Sequence, residues 1–335
     1  MTDVAAMVVS SAGASPVRQG IDLGPLRDDE VEITVEHVGL CHSDLSMAHN
    51  EWGSTRFPFV GGHEVVGTIT AVGPAAIGRE VGQRVGLGWI SSTSLGDPEA
   101  LAGRHHLARG NEATIIGRPG GFAERVRCQW TWALPLPDGL DASTAGPLFC
   151  GGITVFQPIV DHELLPTQRA AVLGIGGLGH LALKFLKAWG CEVTAFTSES
   201  KMDEARELGA HHVADSRDSS SWKPFTRAFD LVISTVSAPM DWDRLMRTVR
   251  PHGALHSVGV QTAPYELGPM SMMGQQKLSS SGVGDPATMA TMLEFCARHD
   301  IAPQVERLPL SELGTAFERL EKGDVRYRFV LDNDL

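Results

Sequence analysis

Residues 170–189 read AAVLGIGGLGHLALKFLKAW, and this stretch limits the possible folds more than any other part of the chain. A short apolar run ends in the spacing Gly174-x-Gly176-x-x-Gly179, and helix-spaced apolar residues follow up to Gly190. In that strand–turn–helix context each glycine has its own reason. Gly174 permits a tight turn, Gly176 lets the backbone approach a pyrophosphate with no Cβ in the way, and Gly179 lets the helix sit close to the strand. Gly177 and Leu178 complete the loop, and the helix start offers unpaired N–H groups to phosphate. A dinucleotide-binding loop is the expectation.

The surroundings agree with it. EVTAF (192–196), HHVAD after Gly209, FDLVIST (229–235) and ALHSVGV (254–260) read as strands, with helices at 178–189 and 201–208 between the early ones. Strands alternating with helices of this length imply a parallel sheet covered on both faces. SRDSSSW (216–222) reads as a short polar loop. Residues 1 to about 148 differ in texture. Short runs such as EVEITVEHVGL, EVVGTITAVG and GQRVGLGWI, separated by turn residues, predict a β region of barrel or sandwich character. Within it Trp130 and Trp132 alternate as a strand would, and residues 4–10 read as a first strand. A helix is expected over 286–299. The tail, with a helix over 311–320 and a last strand YRFVLD, could close either region.

Composition narrows the function. At 335 residues the chain has room for about two domains. Its 40 acidic against 28 basic residues give a formal net charge of -12, which repels phosphate backbones and argues against nucleic acid as a partner. No apolar run approaches the ~20 residues that span a bilayer, so no membrane role is expected. Five scattered cysteines form no disulfide framework, which points to a reducing, cytoplasmic setting and leaves metal binding or catalysis as uses for them.

The end of the second strand bears on the cofactor. An NAD site wants an acidic residue there to accept from the ribose 2′-OH. Here the chain runs Thr197-Ser198-Glu199-Ser200-Lys201. With Thr197 and Ser198 at the discriminating position, small hydroxyls and the Lys201 ammonium suit a 2′-phosphate, so NADP(H) is favoured over NAD(H). A shift of one residue would instead make Glu199 the ribose acceptor.

Cys41, His63, Glu64 and Cys150 form a second constellation, in GLCHSD, GGHE and PLFCGG. Two thiolates and an imidazole supply three metal ligands and leave a fourth position open, the arrangement of a catalytic zinc site. The flanking segments GLCHSDL, GGHEVVGTITAVG, VGQRVG, GPLFCGGITVF, GIGGLGHLALKF, VTAFTSESK and RYRFVLD resemble the zinc-dependent medium-chain dehydrogenase/reductase family, in the branch of cinnamyl-alcohol-dehydrogenase-like aldehyde reductases. The resemblance runs through most of the chain. It implies an α/β plus β fold: a GroES-like catalytic β domain over 1–148 and 287–335, with an inserted doubly wound Rossmann domain over 149–286 and an active site in the cleft between them.

By the same resemblance Cys41, His63 and Cys150 match the zinc ligands. Glu64 matches a neighbouring carboxylate that enters the metal shell in some states. Asp44 matches the partner that fixes the ligand histidine, and Ser43 the hydroxyl that passes a proton to substrate oxygen. Val258, Gly259, Val260 and Ser281 fall in segments that face the nicotinamide, and Trp52 and Trp89 at positions lining the substrate pocket. The implied activity is hydride transfer between NADP(H) and a primary alcohol or aldehyde, aromatic or medium aliphatic, by a homodimer or homotetramer. A zinc-free enone or quinone reductase of the same superfamily, or a non-catalytic nucleotide-binding protein, would not need this ligand set.

Two departures stand out. Many relatives bind a structural zinc through C-x2-C-x2-C-x7-C, and that spacing lands here on Ser94, Asp97, Ala100 and Ala108. Without thiolates no closed site forms, so one catalytic zinc per chain is expected and His105 and His106 read as a solvated loop pair, as do His211 and His212. Ser46 also stands where many relatives carry a histidine that extends the proton path. Either Ser46 with water extends it, or His42 substitutes, or proton exchange is slower.

Overall fold

The computed structural model describes residues 3–261 and 263–335. It divides into two compact units, Met1–Cys150 with Asp285–Leu335, and Gly151–Gly284.

The first unit is built around the strand Glu30–Leu40. Its sequence EVEITVEHVGL alternates, and Val31, Ile33 and Val35 point into the core. The register then slips between Val35 and His37, so Val38 and Leu40 take over the buried phase. Such a bulge re-aims the residues after it, here toward the strand end that carries Cys41. Two strands meet this end, both antiparallel to it. Glu64–Val72 pairs with Gly39 opposite Glu64, and Arg328–Asp332 pairs with Phe329 opposite Leu40. Arg125–Gln129 pairs with the opposite end, Glu30 to Thr34. The seven-stranded sheet is completed by Arg84–Leu87, Leu134–Pro135 and Val305–Pro309. The tail thus joins the first unit, and its helix spans Leu313–Glu321.

The second unit is a six-stranded, wholly parallel sheet. From one edge its strands are His212–Asp215, Glu192–Thr197, Arg169–Leu173, Phe229–Ser234, Val249–Ser257 and Lys277–Ser280. The order reverses at Arg169–Leu173, the switch point where open α/β sheets bind ligands beyond their carboxyl ends. Among the described residues, no helix is long and apolar enough to cross a membrane.

Several local expectations need correction. Strand pairing stops at Gln129, and Trp130–Trp132 forms a 3-10 turn that lets the buried Trp132 donate its indole N–H to Thr93 Oγ1 at 2.9 Å. The polar segment is no simple loop either. Ser219–Phe225 is a 3-10 helix that buries Trp222 against the strand core, its indole N–H bonded to the Asp215 carbonyl. His211 and His212 are both exposed as expected; His211 stands in a bend and accepts from Val193 N at 3.0 Å, but His212 lies in a strand, 2.9 Å from Glu192, and so is not a loop residue. His105 and His106 sit half-buried in a 3-10 turn. The edge strand Lys277–Ser280 has too few apolar residues to show a strand pattern in sequence.

The segment at the missing cysteines is ordered by other means. Ile90–Ser92 pairs with Glu112–Ala113 at its base. Asp97 caps the turn Pro98–Leu101 by accepting from Glu99 N at 2.9 Å, and its other oxygen accepts from Arg109 N at 3.3 Å. Ala100 and Ala108 are buried where two of the thiolates would be. Arg118 closes the base by donating to Ser91, Glu112, Glu30 and the Arg127 carbonyl. Removing the cap with Asp97→Ala should cost about 1 kcal/mol locally. Hydrogen exchange should quicken over residues 94–109 and stay unchanged in the sheet; unchanged exchange in that segment would show that Asp97 does not hold it.

Candidate active site

The strand registers bring one group of side chains together. Cys41 follows the strand ending at Leu40, His63 precedes the strand starting at Glu64, and Arg328 begins the strand opposite Leu40. Cys150 arrives from the 3-10 turn Gly146–Phe149, which is anchored by the buried Phe149 ring against Gly86. The donor atoms of Cys41, His63, Glu64 and Cys150 all lie within 4.8 Å of one another. The two sulfurs are 3.9 Å apart, and His63 Nε2 is 3.3 Å from Cys150 Sγ. A tetrahedral zinc at ~2.3 Å from each sulfur would set them roughly 3.8 Å apart, so the residues fit the ion.

Asp44 organises this cluster. It sits in the first turn of the helix His42–Ala48 and is wholly buried. Its Oδ2 accepts from Cys41 N at 3.0 Å, and its Oδ1 accepts from Gly62 N at 2.8 Å. His63 Nδ1 lies 2.9 Å from the same Oδ1 and donates to it, which turns Nε2 toward the sulfurs. Burial opposes a charged His63, but the Asp44 charge and hydrogen bond raise its pKa well above the ordinary range.

The cysteines divide by chemistry. Hydrogen bonding to Cys150 brings Cys41 well below the usual thiol range, helped against burial by the Arg328 charge. The same contact and burial push Cys150 well up. Burial pushes Cys128 and Cys296 up to about 12 and Cys191 to about 11. Those three are inert core thiols.

Arg328 is the functional residue that sequence reasoning missed; its only signal was its place in RYRFVLD. It is buried, pairs with Glu64 Oε1, and has Nη1 4.0 Å from Cys41 Sγ. Burial disfavours its charge, yet Glu64, Cys41 and Cys150 hold its pKa above the ordinary value. Burial likewise raises Glu64 despite Arg328. Among the described residues Glu64 Oε2 has no hydrogen-bond partner. Leaving aside Asp44, whose oxygens are taken up by Cys41 N, Gly62 N and His63, two thiolates, the Glu64 carboxylate and the Arg328 guanidinium would balance a divalent ion.

Around the cluster, Ser43 is half-buried with Oγ 3.7 Å from Cys41 Sγ. Ser46 lies three residues on along the helix and is buried, whereas His42 is exposed. Trp89 stands edge-on to His63 at 5.0 Å between ring centres, and Trp52, 40% exposed, stands edge-on to Trp89 at 6.1 Å.

In the second unit Gly174 has φ +88, a backbone that side chains resist, and an added Cβ on Gly179 would strike the Gly174 carbonyl. Gly176 faces open space. Gly177 and Leu178 lead into the helix Gly179–Trp189. The strand before the ribose position ends at Thr197, which is buried; Ser198 is half-buried, and Glu199 already starts a 3-10 turn. Lys201 donates to the Ile175 carbonyl at 3.1 Å, placing its ammonium beside the glycine loop. Val258 is buried and Val260 exposed just past the strand Val249–Ser257, with Gly259 between them tight against Val236. Ser281 follows the edge strand and bonds to His256.

A GroES-like β unit holding a cysteine–histidine cluster, and a Rossmann unit with its glycine loop, define a medium-chain dehydrogenase. Residues 27–138 match the family described as alcohol dehydrogenase GroES-like domain, and residues 177–298 match zinc-binding dehydrogenase. The chain is 50% identical over 314 residues to the aldehyde reductase AdhA of Synechocystis sp., covering 93% of this chain and 94% of that one. It is 32% identical to the NADP-dependent alcohol dehydrogenase C 1 of Mycolicibacterium smegmatis, covering 99% and 98%. Its fold matches the cinnamyl alcohol dehydrogenase SbCAD4 of Sorghum bicolor with a TM-score of 0.94 at 32% identity, covering 99% and 98%. The chain belongs to the zinc-binding alcohol dehydrogenase family, in its branch similar to cinnamyl alcohol dehydrogenase, and is an alcohol dehydrogenase or aldehyde reductase acting on small molecules.

Asp44→Asn keeps the shape of the side chain but loses the charge that orients His63. It should weaken zinc binding by roughly 10–100-fold. Competition against a chromogenic chelator reads this directly, with circular dichroism confirming the fold; an unchanged affinity would refute the orienting role.

Proposed function

We propose that this chain is a zinc-dependent, NADP(H)-linked aldehyde reductase or alcohol dehydrogenase with one zinc per chain. The convergence of Cys41, His63 and Cys150 carries the reading. These three would hold the metal, with the unpaired Glu64 Oε2 as a fourth donor. Zinc, when bound, supplies a Lewis acid for a carbonyl or alcohol oxygen, and the nicotinamide supplies or takes the hydride.

The chain's own residues do the rest. Asp44 holds His63 in the tautomer that offers Nε2. The Ser43 hydroxyl stands beside Cys41 and serves as the donor that gives a proton to the product alkoxide, or takes one from the alcohol. Trp52 and Trp89 give the site an aromatic wall that favours aromatic or medium aliphatic aldehydes over bulky polar ones. Gly174, Gly176, Gly177, Leu178 and Gly179 form the pyrophosphate loop. Ser198 and Lys201, at the end of the second strand with Thr197 behind them, would receive a 2′-phosphate; the M. smegmatis relative's name supports this preference. No carboxylate occupies the strand end that NAD needs. A single zinc follows from Ser94, Asp97, Ala100 and Ala108, none of which is a thiolate. The edge strand Lys277–Ser280 supports assembly into a homodimer or homotetramer, and five free thiols suit the cytoplasm.

Metal analysis with an NADPH-oxidation assay on benzaldehyde tests this. One zinc per chain is expected, with turnover lost on stripping it and restored by zinc alone. Turnover that survives stripping overturns the reading. Lys201→Ala should cut the preference for NADPH over NADH by about tenfold or more, since a charge-assisted hydrogen bond contributes about 1.5–3 kcal/mol. A wild-type preference for NADH would refute the assignment of Ser198 and Lys201.

A further inference from the structure

Two histidines that play no part in the cysteine cluster meet inside the second unit, and a hydroxyl completes their corner. His162 follows the helix Gly151–Asp161, and its backbone N–H donates to the Pro158 carbonyl at 3.1 Å, so the side chain leaves a fixed last turn. His256, only 2% exposed, lies near the end of the strand Val249–Ser257. Ser279 is its register partner on the edge strand Lys277–Ser280. Three separate elements thus bring one side chain each to a common point.

The distances at that point are those of a coordination sphere. His162 Nε2 is 3.3 Å from His256 Nδ1, and Ser279 Oγ is 3.0 Å from the first nitrogen and 2.9 Å from the second. Two nitrogens on one tetrahedral ion at ~2.05 Å stand roughly 3.3 Å apart. The point equidistant from all three donors in their plane is about 1.8 Å from each, so an ion at ~2.1 Å sits about 1 Å to one side of that plane, with its outer positions left for water. The two rings are inclined by 73° with centres 5.5 Å apart, so they turn edges, not faces, to one another.

Both rings can act as ligands at neutral pH. Burial lowers the pKa of each, that of His256 to about 4, so neither is doubly protonated near pH 7. His256 Nε2 is 3.0 Å from Ser281 Oγ, and donation of Nε2–H to that oxygen is the tautomer that frees Nδ1 as a ligand. His162 and Ser279 are half-buried, which leaves the corner open to an ion on their side. The exposed Asp161 carboxylate favours positive charge at His162, and the Lys277 ammonium opposes it.

We propose that His162, His256 and Ser279 form a second divalent-metal site, of the nitrogen–oxygen kind that takes zinc, nickel or copper(II). With no thiolate among its ligands it holds zinc more loosely than the cysteine cluster, so it fills only when free zinc is in excess. An ion there ties the edge strand to the neighbouring strand and to the helix end. The site shares no residue with Cys41, His63 and Cys150, whose single zinc is the one that survives dialysis. A hydrogen-bonded corner without an ion is the competing reading, and metal uptake separates the two.

The zinc-loaded full chain would be dialysed at neutral pH against zinc-free buffer and, in parallel, against buffer holding micromolar free zinc, and bound zinc counted by atomic emission. One zinc per chain should remain after the first dialysis and two after the second. His162→Ala and, separately, His256→Gln should each remove the second zinc and keep the first, with circular dichroism unchanged. His162→Ala, at a half-buried position, carries the test by itself should His256→Gln fail to fold. A wild-type count that does not rise in micromolar zinc overturns the proposal. So does a second zinc that His162→Ala retains, because the ion then sits on other groups. Loss of all zinc from the wild type in zinc-free buffer tells against the cysteine-cluster reading instead, and the uptake that His162→Ala removes still decides this one.

Discussion

A single buried carboxylate ties the catalytic unit together. Asp44 has no contact with solvent, and it satisfies three donors that come from two separate segments: Cys41 N, Gly62 N and His63 Nδ1. Those donors stand where water would otherwise solvate its two oxygens. The backbone of the first ligand, the ring of the second and the turn before that ring are thus fixed by one side chain. The sheet supplies the coarse placement and Asp44 the fine one. This is why the four donor atoms gather within 4.8 Å of one another.

Charge balance is the second constraint on that cluster. Two thiols and a carboxylate gathered in a dry core repel one another once ionised, and Arg328 supplies the local positive charge. It comes from the last strand of the chain, nearly three hundred residues from Cys41. The antiparallel pairing of Phe329 with Leu40 delivers it. The chain's return to its first unit therefore contributes to the chemistry of the site as well as to the sheet.

Much of this was legible in the sequence because it is encoded locally. The glycine loop, its strand and its helix depend on neighbours within twenty residues, and so do the helix Pro286–Arg298 and the alternation in Glu30–Leu40. The four donor residues were visible as motifs, although nothing local brings them together; their order in the chain resembling a known family did that. What escaped depended on long-range pairing. Arg328 acquires its role only through a partner 264 residues away. Lys277–Ser280 is a strand only because Val249–Ser257 gives it a partner. Trp130 and Trp132 misled for a similar reason: their alternation fits a strand, but the Thr93 hydroxyl draws Trp132 into a turn.

The lobe held by Asp97 and Arg118 has a bearing on how the molecule ages. Its order depends on carboxylate, guanidinium and backbone groups, with apolar Ala100 and Ala108 filling the interior. None of these is a target for peroxide, and no sulfur in residues 90–117 is available to be driven to sulfenic acid or a stray disulfide. Oxidative damage would reach the exposed thioethers of Met270 and Met273 early, and the lobe and its sheet would keep their shape.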